Sequence, residues 1–262
     1  MKYGIYRGIA MTVAGSDSGG GAGIQADLKT FAALKVFGTS AITALTVQNS
    51  LGVTGIHNAP PEIIKAQILA VGSDFPLGAV KTGMLGNRGT IRAVAEGLSE
   101  LGIKKIVVDP VMVAQSGDSL LAADAVEAVK EIIVPLALIV TPNLPEAEKL
   151  TGMKIESVEE MTAAAREIAK LGCGAVLVKG GHLAGEPEII TDVLLADGKI
   201  SLLQDRRIET TANHGTGCTL SSAIAAELAA GLRLGEAVAR ARQYLRAGLH
   251  YGVTAGHGAG CL

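Results

Sequence analysis

The chain has 262 residues, 48% hydrophobic and 18% charged, with 34 glycines and no tryptophan. That composition is that of an ordinary soluble chain rich in tight backbone turns and argues against disorder, and the length suits one α/β domain or two small ones. The formal net charge is −2 and the basic residues are scattered, apart from pairs such as Lys104/Lys105 and Arg206/Arg207, so no nucleic-acid face is expected and a small-molecule partner is the default.

The first residues, "MKYGIYRGIAMTVAGSDSGG", lack the long apolar core of a signal peptide. No uncharged apolar run reaches membrane-spanning length, so no membrane partner is expected. Cys173, Cys218 and Cys261 fall in no CxxC spacing, and their odd number suits neither a disulfide framework nor a zinc knuckle. Together these features point to a reducing cytoplasm.

In chain order, "IAMTVAG" (9–15) reads as a strand and "GIQADLKTFAALKV" (23–36) as a helix with Ile24, Leu28, Phe31 and Leu34 on one face. Further strands are expected at 40–48, 78–83, 105–110, 137–142 and 175–180, with helices near 61–72, 88–100, 121–133 and 157–171. Strands this apolar, separated by crossover helices, predict a mostly parallel sheet covered on both faces. Ligands then bind at the carboxyl ends of the strands. In "EIITDVLLADGKISLLQDRRIET" the "DG" between two strand-like runs predicts an antiparallel hairpin at the sheet edge. Two helices, roughly 217–231 and 235–252, close the chain, and with no linker or repeat visible residues 1–262 are read as a single domain.

The first loop, "GSDSGGGAGIQAD" (15–27), sets Gly21, Gly23 and Ala26 in a GxGxxA pattern. A dinucleotide site would need an acid at the end of the second strand, which instead closes on Thr46, Val47 and Gln48. The small residues either permit a tight turn or let a planar ligand approach backbone amides. Gln48 offers both a donor and an acceptor to a heteroaromatic edge, or else stands at the surface. Asp109 and, one strand on, Asn143 and Glu146 lie at strand ends. Asn143 and Glu146 have the spacing of a capping box, while the carboxylates also suit Mg²⁺. Lys179 reads as a point charge for phosphate or as a solvated loop lysine. No Walker A sequence is present, and the five histidines show no metal-ligand spacing.

"HGTGCTLSSAIAA" (214–226) carries the most specific signal. Gly215, Thr216 and Gly217 should aim successive N–H groups at one point, at the start of a helix with Leu220, Ile224 and Leu228 as its buried stripe. Such a helix end favours a thiolate, so Cys218 reads as a base beside a phosphoryl group, against the alternative of a small buried hydrophobe. Cys173 is read as the latter.

The segments "TVAGSDSGGGAGIQADLKTF", "ALTVQNS", "VKTGML", "VVDPVM", "TPNLPEA", "VKGGH" and "HGTGCTLSSAIAAELA", in this order from about residue 9 to 252, resemble the hydroxymethylpyrimidine and hydroxymethylpyrimidine phosphate kinases of thiamine biosynthesis, in the ribokinase-like superfamily. The resemblance implies a three-layer α/β/α fold and ATP-dependent phosphorylation of 4-amino-5-hydroxymethyl-2-methylpyrimidine, then of its monophosphate to the diphosphate. Carried over by motif, Gln48 hydrogen-bonds the aminopyrimidine, with Gly21, Ala22, Met84 and Val111 around the ring. Asp109 and Glu146 belong to Mg²⁺, and Lys179, Asn143 and His214 to the nucleotide phosphates. Gly215 to Cys218 form the anion hole, with Cys218 where much of the superfamily has an aspartate base. Asn213 departs from the threonine more usual before the histidine, which touches only local nucleotide contacts. The resemblance also implies a homodimer, for which the "DGK" hairpin is a candidate contact; because the chain ends soon after its last expected helix, no fused thiamine phosphate synthase domain is expected. A pyridoxal kinase of the same cysteine-containing branch is the nearest rival, against which Gln48 argues; a non-catalytic sensor of thiamine precursors is the second. Stretches 114–121 and 181–188 are the candidates for a closing lid.

Overall fold

The computed structural model describes residues 4–112, 125–181, 183 and 188–262. The chain opens with β1 (Ile9–Asp17), α1 (Gly23–Ala33), β2 (Phe37–Asn49), β3 (Gly52–Asn58) and α2 (Pro61–Asp74). It continues through β4 (Ala79–Thr82), α3 (Arg88–Glu100), β5 (Ile106–Val108), α4 (Ala125–Ala128), β6 (Ile139–Val140), α5 (Leu144–Thr151) and α6 (Val158–Ala169). β7 (Ala175–Val178), β8 (Ile189–Ala196), β9 (Lys199–Arg206), α7 (Thr216–Ala229) and α8 (Leu234–Tyr251) complete it.

The strands form one sheet in the order β3-β2-β1-β4-β5-β6-β7-β8-β9. Six of them, β2 to β7 through β1, pair in parallel, while β3 at one edge and β8 and β9 at the other are antiparallel. The expected hairpin is present, turning at Asp197, with φ +50°, and Gly198, with φ +71°. β3 is an addition. "GVTGIHN" has two glycines and no apolar alternation, and it becomes a strand by pairing with the long overhang of β2 from Ala44 to Asn49.

Alternate residues of each central strand feed opposite layers, giving the expected α/β/α arrangement. Met11, Val13, Val80, Ile106 and Val108 pack with α2, α3, α5 and α6, through side chains such as Ile68, Val94, Ala147 and Ile168. Ala10, Ala79, Val107 and Ile139 face α1, α7 and α8. The residues on this second side of β1 and β4 are small, and α7 answers with "SSAIAA", buried on every side from Thr219 to Leu228. Helix and sheet therefore approach closely. A Cβ at Gly8 would stand 2.3 Å from the Ala229 carbonyl oxygen, and one at Gly78 would stand 2.9 Å from it.

The helix expected over 121–133 is described from Ala125 onward. After α4 it widens into a π-helical turn at Val129–Ile133 and tightens into a 3₁₀ turn at Val134–Leu136, where Pro135 removes a backbone donor. Leu34 caps α1 rather than extending it. His182, stretch 114–121 and most of stretch 181–188 lie outside the described residues.

The chain reverses direction across the sheet at β1, from which β2 lies on one side and β4 on the other. This is the topological switch point at which open α/β sheets bind ligands. The close approach at Gly8 makes a prediction: Gly8→Ala should overpack the junction and lower stability by about 1–3 kcal/mol. A thermal melt checks it, and an unchanged Tm would contradict the packing.

Candidate active site

A cleft of about 450 Å³ opens at the carboxyl ends of β1, β2 and β4 to β7, with the start of α7 forming one wall. Of the residues singled out from the sequence, it is lined by Gln48, Ala22, Met84 and Val111, by Asp109, Asn143, Glu146 and Lys179, and by His214 through Cys218. Gly21 is behind this wall: a Cβ there would meet the His214 ring at 2.3 Å.

The glycine-rich loop is organised by Asp17, to which the sequence reading gave no role. Its carboxylate accepts from the amides of Gly19 at 2.7 Å, Gly21 at 3.0 Å and Ala22 at 2.8 Å. The amides of Gly21 and Ala22 are thus already paired, which corrects the expectation that a ligand would approach them. His214 Nε2 lies 3.2 Å from the same carboxylate. Burial opposes the Asp17 charge, but hydrogen bonds from His214, Ala22 and Gly19 outweigh it and hold the carboxyl below its usual range. Gly215 locks against the loop from the other side. It adopts φ +78°, and a Cβ on it would fall 1.8 Å from the Gly21 carbonyl oxygen, so only glycine fits.

Gly215 is also the N-cap of α7, and no side chain caps this helix. The amides of Thr216, Gly217 and Cys218 have no partner within the helix, because the first turn has no preceding carbonyls. They form one wall of the cleft and supply a site for an anion. Cys218 sits in this first turn, yet its thiol is pushed up to about 11. Burial is the main cause, Lys81 opposes it, and Asp27 and Asp109 add to it. This corrects the expectation that the helix end alone would favour the thiolate. The desolvation of a half-buried sulfur beside two carboxylates outweighs the helix end.

Asp109, 2% exposed, accepts from Lys179 Nζ at 3.1 Å, from Thr141 at 3.3 Å and from Ser221 of α7 at 3.2 Å. Lys179 is therefore a paired cation in the cleft and not a solvated loop residue. Asn143 and Glu146 do form the capping box of α5, at 2.9 and 2.8 Å, but Glu146 also stands 4.0 Å from Lys179. Burial pushes the Glu146 carboxyl up to about 7; Lys179 opposes the shift and Asp109 adds to it. Two buried oxygen donors beside an anion site suit a hard cation such as Mg²⁺, which takes most of its ligands from water and phosphate. A closed all-protein cage is not their pattern: no cluster of three His, Cys, Asp or Glu able to hold a metal occurs among the described residues.

At the far wall Gln48 Oε1 accepts from Thr46 at 3.1 Å, which fixes the carboxamide at the end of β2. Its Nε2 makes no hydrogen bond among the described residues and belongs to a side chain that lines the cleft. Lys81 and Asp27 were missed in the sequence, although a lysine inside the apolar strand "GAVKTG" is a readable anomaly. They form an ion pair at 2.9 Å with both side chains fully buried.

Residues 17–262 match the family described as phosphomethylpyrimidine kinase. A hydroxymethylpyrimidine/phosphomethylpyrimidine kinase of Rhizobium meliloti is 55% identical over 242 residues, covering 92% of this chain and 90% of that protein. The crystal structure of a phosphomethylpyrimidine kinase from Clostridium difficile superposes with a TM-score of 0.82 at 44% identity, over 91% of this chain and 98% of that one. A pyridoxal kinase of Bacillus subtilis, solved as an ADP complex, gives 0.89 at 36% identity, over 97% and 96%. The backbone is thus common to both kinases, and the sequence separates them. The chain belongs to the phosphomethylpyrimidine kinase family.

Proposed function

We propose that this chain transfers the γ-phosphoryl group of ATP to the hydroxymethyl oxygen of 4-amino-5-hydroxymethyl-2-methylpyrimidine, and then phosphorylates the monophosphate to the diphosphate for thiamine biosynthesis. The observation that carries the proposal is the uncapped start of α7, which opens on the same cleft as Gln48 and the Asp109–Lys179 pair. A sensor of the pyrimidine alone would need only the Gln48 wall.

In this reading Gln48 orients the aminopyrimidine, and Met84 and Val111 flank the ring. Lys179 faces the nucleotide phosphates, joined on that side by Asn143 and His214, whose ring also reaches Asp17. Asp109 and Glu146 would hold Mg²⁺, which neutralises phosphate charge when bound. The amides of Thr216, Gly217 and Cys218 stabilise the charge on the transferred group. As the hydroxymethyl oxygen attacks the γ-phosphorus and the bond to ADP breaks, the hydroxyl proton passes to the Cys218 thiolate, leaving the thiol. A thiolate whose conjugate acid is this weak is a strong proton acceptor once formed. The proposal extends to a homodimer in the cytoplasm; among the described residues no helix is long and apolar enough to cross a membrane.

Pyridoxal kinase is the second reading, favoured by the higher TM-score of that neighbour and disfavoured by its lower identity. An ADP-release assay with Mg-ATP and each acceptor separates the two, with faster turnover expected on the hydroxymethylpyrimidine; faster turnover on pyridoxal would reverse the assignment. Cys218→Ala should keep pyrimidine affinity while kcat falls by about 10²–10⁴-fold, the usual weight of a general base. Full turnover in that variant would remove the thiol from the chemistry.

A further inference from the structure

The phosphoryl-transfer scheme leaves the segment after α8 without a role, although "GHGAG" (256–260) sets glycine at every second position there. The segment turns back on itself, and Val253 and Cys261 exchange both backbone hydrogen bonds, at 2.8 and 2.9 Å. It packs on the framework of the cleft. The Gly260 amide donates to the Thr211 carbonyl at 2.9 Å, and the Gly260 carbonyl accepts from the His214 amide at 3.0 Å. Those two bonds bracket the approach to α7, residues 207–215, which contains no helix or named strand of its own. The Gly258 amide donates to Ser50 Oγ at 3.1 Å, in the turn between β2 and β3 and two residues beyond Gln48. Direct backbone contact requires the glycines: a Cβ on Gly258 would overlap the Ser50 carbonyl oxygen, and one on Gly260 would stand 2.9 Å from the Val253 carbonyl oxygen and 3.1 Å from Ala212 Cα. Cys261 lies against the glycine loop, where a Cβ on Gly21 would come within 3.1 Å of its own Cβ.

We propose that residues 256–261 are a positioning clasp for phosphoryl transfer, with Gly258 and Gly260 as its positioning residues. The clasp joins the end of the Gln48 wall to the entry of the anion site, and so sets the distance between the acceptor hydroxyl and the phosphoryl group. The inference rests on the proposed reading of those two walls. On its far side the β2 end is held by Ser18, which donates to the Gln48 carbonyl at 2.7 Å and accepts from the Gln48 amide at 2.9 Å. Ser18 ties Gln48 to the glycine loop, whereas Gly258 and Gly260 tie it through Ser50 to the approach to α7. None of residues 256–261 lines the cleft, so each wall keeps its own binding groups when the clasp is loosened. What is lost is alignment, and a misplacement of about 1 Å between reacting groups costs about 100-fold in rate.

The test compares wild type with Gly258→Ala, which wedges the clasp off the β2–β3 turn, and with Ser50→Ala, which removes one hydrogen bond and adds no bulk. Turnover of the hydroxymethylpyrimidine with Mg-ATP is measured well below each variant's Tm, where a thermal melt shows the protein fully folded, so a loss of stability alone does not register. Gly258→Ala should lower kcat about 10–100-fold while the KM values for the pyrimidine and for ATP stay within about twofold. Ser50→Ala should lower kcat about threefold, in the range of one lost hydrogen bond. Wild-type kcat in folded Gly258→Ala would overturn the clasp; if that variant does not fold, wild-type kcat in Ser50→Ala would do so. A raised KM with unchanged kcat would also overturn it, by assigning the segment to binding alone. Wild type that transfers phosphate to neither the pyrimidine nor pyridoxal would instead overturn the underlying reading of the walls.

Discussion

The buried ion pair between Lys81 and Asp27 ties together β1, β4, α1 and α7, the four elements that meet under the cleft. Two charges removed from water at this depth are tolerated because each is satisfied, Asp27 by Thr12, Lys81 and Ser222, and Lys81 by both oxygens of Asp27. Removing one partner from such a pair typically costs about 3–5 kcal/mol, because the other charge is left unpaired. The consequence is a fixed depth for α7. Its first turn cannot slide relative to β4 without breaking the cluster four residues further along. The small residues of this layer allow the close approach that the pair needs.

The cleft above is assembled by two further sets of contacts. On one side Asp17 folds the glycine loop through three amides and reaches His214, while Gly215 fits against the Gly21 carbonyl. On the other, Asp109 draws Lys179 and Ser221 together, and Lys179 lies within reach of Glu146. α7 belongs to both sets. The uncapped amides of its first turn are therefore held between a loop that closes toward the substrate side and a charge cluster that suits phosphate. The cost of such an arrangement is visible in Glu146 and Cys218, whose protonated forms are favoured because burial outruns their local compensation.

Much of this is legible in the amino-acid sequence. The apolar runs marked β1, β4, β5, β6 and β7, and "ADGK" marked the β8–β9 turn, because period and turn chemistry are local properties of the chain. Strand-end position brought nearly all the candidate residues to one cleft, since parallel strands carry their carboxyl ends to the same edge. β3 was not legible: its residues have no pattern of their own and owe their conformation to a partner strand. Asp17 was read only as part of a glycine turn, and the amides it occupies looked open to a ligand. Lys81 and Asp27 were each placed on a correct element and left without a role, since neither element reveals that the two face one another.

The sequence by itself determined the parallel α/β architecture, the location of the cleft and the family, because hydrophobic period, glycine spacing and ordered motifs survive without a third dimension. Only the tertiary structure decided the charge states. The helix end that favours the Cys218 thiolate is written in "HGTGC", but the burial and the carboxylates that oppose it come from segments up to 191 residues away in the chain. Electrostatic energy depends on distance and desolvation, and both are properties of the packed molecule.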